Sequence, residues 1–104
     1  MSSIRSVLIR PEALEEAEEA RAWYEARMEG LGERFVEAVS DAIDQAVAAP
    51  EAGRSYSRGV RRVLVRRFPF AVFYRLRPEA LVVIAIFHGA RDPHALTRRM
   101  RSPV

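Results

Sequence analysis

The stretch from Arg61 to His88, RRVLVRRFPFAVFYRLRPEALVVIAIFH, constrains the fold more than any other. It holds three runs rich in Val, Ile, Phe and Tyr, broken at Phe68-Pro69 and again at Arg77-Pro78-Glu79-Ala80. β-Branched and aromatic residues suit a pleated, half-buried surface, so the pattern predicts a three-stranded antiparallel meander. Proline lacks the N–H that a central strand must donate, and both breaks therefore belong in turns.

Side chains alternate along a strand, so the turns decide which residues share a face. A two-residue turn at Phe68-Pro69 would set Val65 opposite Val72, Leu64 opposite Phe73 and Val63 opposite Tyr74. One face then carries Val63, Val65, Phe70, Val72 and Tyr74, joined by Val83, Ala85 and Phe87, and suits packing under helices. The other carries Arg62, Leu64, Arg66, Ala71, Phe73 and Arg75, joined by Val82, Ile84, Ile86 and His88. That second face is apolar in its middle and ringed by arginines and one histidine. Packing on the C-terminal segment and service as a binding or catalytic surface both fit it.

At 104 residues the chain is expected to form one domain, 1–104, with a core that needs no staples. It has no cysteine and two histidines, too few for an ordinary zinc site, and no cofactor or metal is expected. No apolar run approaches the roughly 20 residues that span a bilayer, and the N-terminus lacks signal-peptide features. A cytoplasmic protein without membrane contact is the expectation.

A net charge of +3 conceals a polarity. From Glu12 to Glu51 there are twelve acids against three arginines, whereas Arg54 to Arg101 holds twelve arginines against two acids. Every basic residue is arginine, which G+C-rich coding, suggested also by the many alanines, explains better than selection for phosphate forks does. Arginines gathered on one sheet still suit an anionic partner, nucleic acid or an acidic protein segment.

Ile4 to Arg10 is expected to be a first strand that joins the sheet after the helices return the chain. Pro11 with Glu12, Glu15 and Glu16 forms a favourable helix start. Ala13, Ala17, Ala20, Tyr24 and Leu31 recur at helical spacing as one apolar stripe, with Trp23 and Tyr74 assigned to the helix–sheet core. Gly30 and Gly32 are expected to stop this helix. A second, from about Glu33 to Ala49, carries Phe35, Val39, Ala42 and Ala46, with Val36, Ile43 and Val47 beside them, and ends at Pro50. The connection Glu51 to Gly59 has room for a short edge strand around Tyr56. Asp92 before Pro93 predicts the N-cap of a short C-terminal helix reaching about Met100. The fold class is α+β: strand, helical hairpin, meander, short final helix.

Trp23-Tyr24-Glu25, Gly30-Leu31-Gly32-Glu33-Arg34-Phe35, Pro50, Val60-Arg61-Arg62, Arg67-Phe68-Pro69-Phe70, Phe73-Tyr74-Arg75 and His88-Gly89-Ala90-Arg91-Asp92-Pro93 together resemble the RelE/ParE superfamily of type II toxins, also called plasmid-stabilisation proteins. The resemblance implies two outcomes. ParE-like members poison DNA gyrase and are held in check by a cognate antitoxin, with no catalysis of their own. RelE-like members are ribosome-dependent mRNA endonucleases, whose sheet residues activate the ribose 2′-OH and neutralise the phosphate. Ala71 stands where several nucleases carry a catalytic arginine, and Gly89 where some show tyrosine, so the ParE-like branch is favoured.

Were the chain a nuclease, Arg62, Arg66, Arg75, His88 and Arg91 would be its catalytic set, with His88 as base and arginines as anion clamps. For His88 a strand-end structural role is the competing reading, and for Arg91 a pairing with Asp92 or a carbonyl. The resemblance also implies an antitoxin whose C-terminal segment wraps the toxin. The expected antitoxin or target surface comprises Arg62, Leu64, Arg66, Phe73, Arg75, Ile84, Ile86, His88 and Arg91, receiving an acidic amphipathic peptide.

Overall fold

The computed structural model describes residues 4–57, 59–89 and 98–99. Strand β1 (Ser6–Ile9) leads into helices α1 (Pro11–Arg27) and α2 (Leu31–Ala48), then into β2 (Arg54–Ser57), β3 (Val60–Leu64), β4 (Phe70–Arg77) and β5 (Ala80–His88). The expected meander, β3 to β5, is the centre of a five-stranded sheet ordered β1-β5-β4-β3-β2. β1 runs parallel to β5, which requires the helical hairpin as its crossover, and the other pairings are antiparallel. The C-terminal helix expected from Pro93 lies outside the described residues except at Arg98 and Arg99.

The hairpin turn has a specific chemistry. Gly30 adopts φ 87°, a left-handed conformation that glycine takes without penalty, and it ends the connection from α1. Gly32 does not stop a helix as expected: it lies in the first turn of α2, buried, where a Cβ would come within 2.6 Å of the Arg21 carbonyl oxygen. Its role is close helix approach. The Glu25 carboxylate accepts the N–H groups of Gly30 (3.0 Å) and Gly32 (3.0 Å), two donors that the start of α2 would otherwise leave unpaired. Those bonds hold the Glu25 carboxyl below its ordinary pKa.

The hairpin covers one sheet face through Phe35, which is fully buried, and through a cluster of rings. Tyr24, Phe35, Phe68 and Phe70 have centroids 4.9 to 6.2 Å apart. Rings at such spacings add roughly 0.5–1.5 kcal/mol per pair beyond their buried area. This cluster changes the meander's register. Phe68 packs into it and cannot serve in a two-residue turn, so the turn takes Arg66 to Pro69, with Arg67 at φ 71°. Val63 therefore pairs with Val72, Leu64 with Ala71 and Arg62 with Phe73, two residues away from the expected register. A slip of two keeps every side chain of β3 and β4 on its expected face.

β5 departs from expectation more sharply. Phe73 pairs with Ala85 but Tyr74 pairs with Val83, leaving Ile84 as a bulge. An extra residue reverses the alternation beyond it. Ile86 and His88 pair with Val72 and Phe70 on the helix side, and Ala85 and Phe87 join Phe73 on the opposite side, each the reverse of the sequence expectation. The bulge lies where β1 ends. Arg10 N–H donates to the Val83 carbonyl, and Pro11 then turns the chain into α1. Past that point side chains complete the edge: the Glu16 carboxylate accepts the Ile86 N–H (3.0 Å), and the Arg99 guanidinium donates to the Ile84 carbonyl (2.8 Å) while pairing with Glu16 at 3.0 Å.

Tyr74 is fully buried, as expected, and its hydroxyl donates to the Pro50 carbonyl (2.8 Å). A Cβ on Gly53 would collide with that hydroxyl. Burial raises the Tyr74 pKa. Trp23 contradicts its core assignment: it is 53% exposed, edge-on to Tyr24, with the Arg27 guanidinium 3.9 Å above its ring.

Candidate functional site

Two surfaces of the molecule are built differently, and the first is only part of the face drawn from sequence. The face opposite the helices buries Val60, Ala71, Phe73, Val82, Ile84, Ala85 and Phe87. Arg99 reaches over it, 5.4 Å from the Phe87 ring. Phe73 and Ile84 are thus on the expected face but not exposed, and Ile86 and His88 are not on it. His88 instead packs edge-on to Phe70, 5.4 Å between centroids. Arg66 lies in the β3–β4 turn, where it lines a groove against α2 with Arg34 and Arg67. Arg91 lies outside the described residues.

What remains open on that face is its β2–β3 end. Leu64 is 61% exposed and Tyr56 45% exposed, the latter set edge-on to Phe73 at 5.5 Å. Arg54 stands directly opposite Arg62 across β2 and β3, and Arg62 in turn lies opposite Phe73. Arg75 pairs with Val60 on the same face. The structure therefore brings Arg62, Leu64 and Arg75 together and adds Arg54 and Tyr56. Sequence reasoning placed a strand around Tyr56 without assigning it a role; the signal was the alternation of Arg54 and Tyr56 on an edge strand.

The second surface lies on the helices. A groove of about 540 Å³ runs between α1 and α2, lined by Leu14, Ala17, Val36, Val39 and Ile43 and reaching Ile9 of β1. Leu14 and Val36 are exposed, and Val7, Leu8 and Ile9 on the edge strand are exposed beside them. The apolar arc of α2 gave a signal: Val36, Ile43 and Val47 extend beyond the stripe that Phe35, Val39, Ala42 and Ala46 bury, and an arc so wide has more than one surface to meet. Glu18 lies on the groove, and Glu15, Glu33, Glu37 and Asp44 are exposed on the same two helices. Among the described residues no group of acids and histidines could hold a metal ion, and no helix is long and apolar enough to cross a membrane.

Comparison with known proteins gives this geometry a family. Residues 7–93 match the model of the ParE toxin of the type II toxin–antitoxin system parDE. The chain belongs to the ParE toxin family. It is 36% identical over 62 residues to Toxin ParE2 of Mycobacterium tuberculosis, in both strain CDC 1551 / Oshkosh and strain ATCC 25618 / H37Rv. The match takes in 60% of this chain, and the chain spans a little over half, 56%, of the length of these curated relatives. The fold is similar to a chain of the chromosomal ParDE TA system from P. aeruginosa, with TM-score 0.70 and 17% identity, over 84% of this chain and 98% of that one. The ParE-like branch favoured from Ala71 and Gly89 is the branch these comparisons support.

Proposed function

We propose that this protein is the growth-arresting toxin of a type II pair, that it stalls DNA gyrase after DNA cleavage, and that a cognate antitoxin neutralises it. The observation that carries the choice of target is the bulge at Ile84. It leaves His88 beside Phe70 on the helix side, while Arg62 and Arg75 belong to the opposite face. General-base cleavage of RNA needs the base and the anion clamps around one phosphodiester. A histidine and arginines on opposite faces of a sheet do not meet that need. Ala71, where several nucleases carry a catalytic arginine, is 2% exposed and faces Phe87. Both facts favour a toxin that binds its target over a ribosome-dependent mRNA endonuclease.

On this reading the antitoxin's C-terminal segment occupies the groove between α1 and α2 and extends along β1, an edge of the sheet among the described residues. Glu18 on the groove and the acidic balance of the two helices favour a basic amphipathic helix, unlike the acidic peptide expected on the arginine face. The target meets the open end of the sheet face at Arg62 and Leu64. Gyrase incubated with the purified protein should accumulate cleaved DNA. Undisturbed supercoiling and cleavage at saturating protein would sink the gyrase reading, and codon-phased mRNA cuts lost in His88→Ala would establish the endonuclease instead.

A further inference from the structure

Arg54 and Arg62 form a like-charged pair directly opposite each other on neighbouring strands, an arrangement that costs a sheet stability. Among the described residues neither side chain makes an ion pair or a hydrogen bond, although Arg61 between them in sequence is tied to the carbonyls of Glu51 (3.0 Å) and Gly53 (2.9 Å). Two arginines set opposite each other on one face, with no counterion among the described residues, can seat an anion between them.

The neighbouring residues say which anion. The register of β2 shifts between Ser55 and Ser57, and Tyr56 stands at that irregularity. Bulges re-aim side chains. The Tyr56 ring lies against Phe73, edge to face, so it is braced from the sheet while 45% of the residue stays exposed. An exposed, braced aromatic ring one residue pair from two guanidinium groups is the combination that binds single strands: a base stacks on the ring while the phosphates meet the arginines. An acidic peptide would satisfy the arginines but has no planar group for Tyr56. A base inside a duplex is already stacked and equally unsuited.

We infer that Arg54, Tyr56 and Arg62 form a site for single-stranded DNA. The inference rests on the gyrase reading only for the source of the strand, the DNA that the enzyme has cut and opened. The site itself is a property of the toxin alone and is testable without gyrase.

The test is fluorescence anisotropy of a labelled single-stranded DNA oligonucleotide with the purified protein, over a range of salt. Binding should weaken steadily as salt rises, as expected where arginines displace counterions. Arg54→Glu should lower affinity about tenfold and Tyr56→Ala at least about fivefold, the lower end of what one lost stacked base costs. Arg54→Glu replaces a repulsive cross-strand pair by an attractive one, so its Tm should hold or rise while its affinity falls. A purely structural pair would show the opposite. No binding, wild-type affinity in both variants, or tighter binding of RNA or of an acidic peptide would overturn the inference. Gyrase poisoning without DNA binding would overturn this site and leave the gyrase reading intact. DNA binding without effect on gyrase would do the reverse.

Discussion

The helical hairpin and the sheet solve the same problem in opposite ways. Strands β2 to β5 are basic and bury most of their apolar residues on both faces, leaving Leu64 and Tyr56 exposed at one end. The hairpin is acidic and keeps an apolar groove open, flanked by the exposed strand β1. Charge and exposed apolar surface are thus divided between two sides of a small molecule. Each side suits a different partner, an anionic one at the arginines and an apolar, cationic one at the hairpin. The family's pairing of toxin with antitoxin asks for such a division: a surface that can be covered apart from a surface that acts.

The comparison is sharpest where the two regions join. Phe35 carries the hairpin onto the sheet, and Phe35→Ala should destabilise the protein by about 3–5 kcal/mol. Leu64→Ala, at the open end of the sheet, should stay within about 0.5 kcal/mol. Denaturant titration of the two variants checks both, and similar losses would mean that Leu64 contributes to the fold as much as the hairpin contact does. A smaller effect belongs to the hairpin turn. Glu25 has its pKa lowered by the Gly30 and Gly32 N–H groups, so the folded protein favours its ionised form. Its contribution is complete above the unfolded-state pKa, near 4.5, and is lost as pH falls through the lower folded value. In Glu25→Gln the loss of stability below pH 4.5 should be shallower than in wild type, measured as Tm against pH. Parallel curves would remove Glu25 from the turn's stabilisation.

Much of this was legible in the sequence because it depends on local chemistry. Pro11 and its glutamates mark the start of α1, Gly30 marks its end, and the prolines mark the strand breaks. The parity of β3 and β4 survived a two-residue slip, since valines and arginines alternate whichever even shift is chosen. What could not be read was decided by tertiary contact. The aromatic cluster takes the Phe68 ring and widens the turn to Arg66–Pro69, and a bulge at Ile84 falls where the β1 pairing ends. No residue type signals a bulge in LVVIAIF, where every side chain is apolar on either face. That one extra residue moved Ile86 and His88 to the helix side, away from Arg62 and Arg75, while Arg62, Leu64, Phe73, Arg75 and Ile84 kept their expected face. Gly32 shows the same limit: its sequence context suggests a helix stop, but its role is an approach to Arg21 across the hairpin.

If the two sides act separately, an exposed position on the hairpin, Val36, and a half-buried one on the sheet, Arg62, tell them apart. Val36→Asp places a charge in the hairpin groove, and Arg62→Glu reverses one at the sheet's open end. The decisive measurement is gyrase-dependent accumulation of cleaved DNA for both variants, with and without the cognate antitoxin. The account predicts that Val36→Asp still poisons gyrase but escapes neutralisation, and that Arg62→Glu loses poisoning while still binding the antitoxin. Loss of both properties in either variant would contradict it.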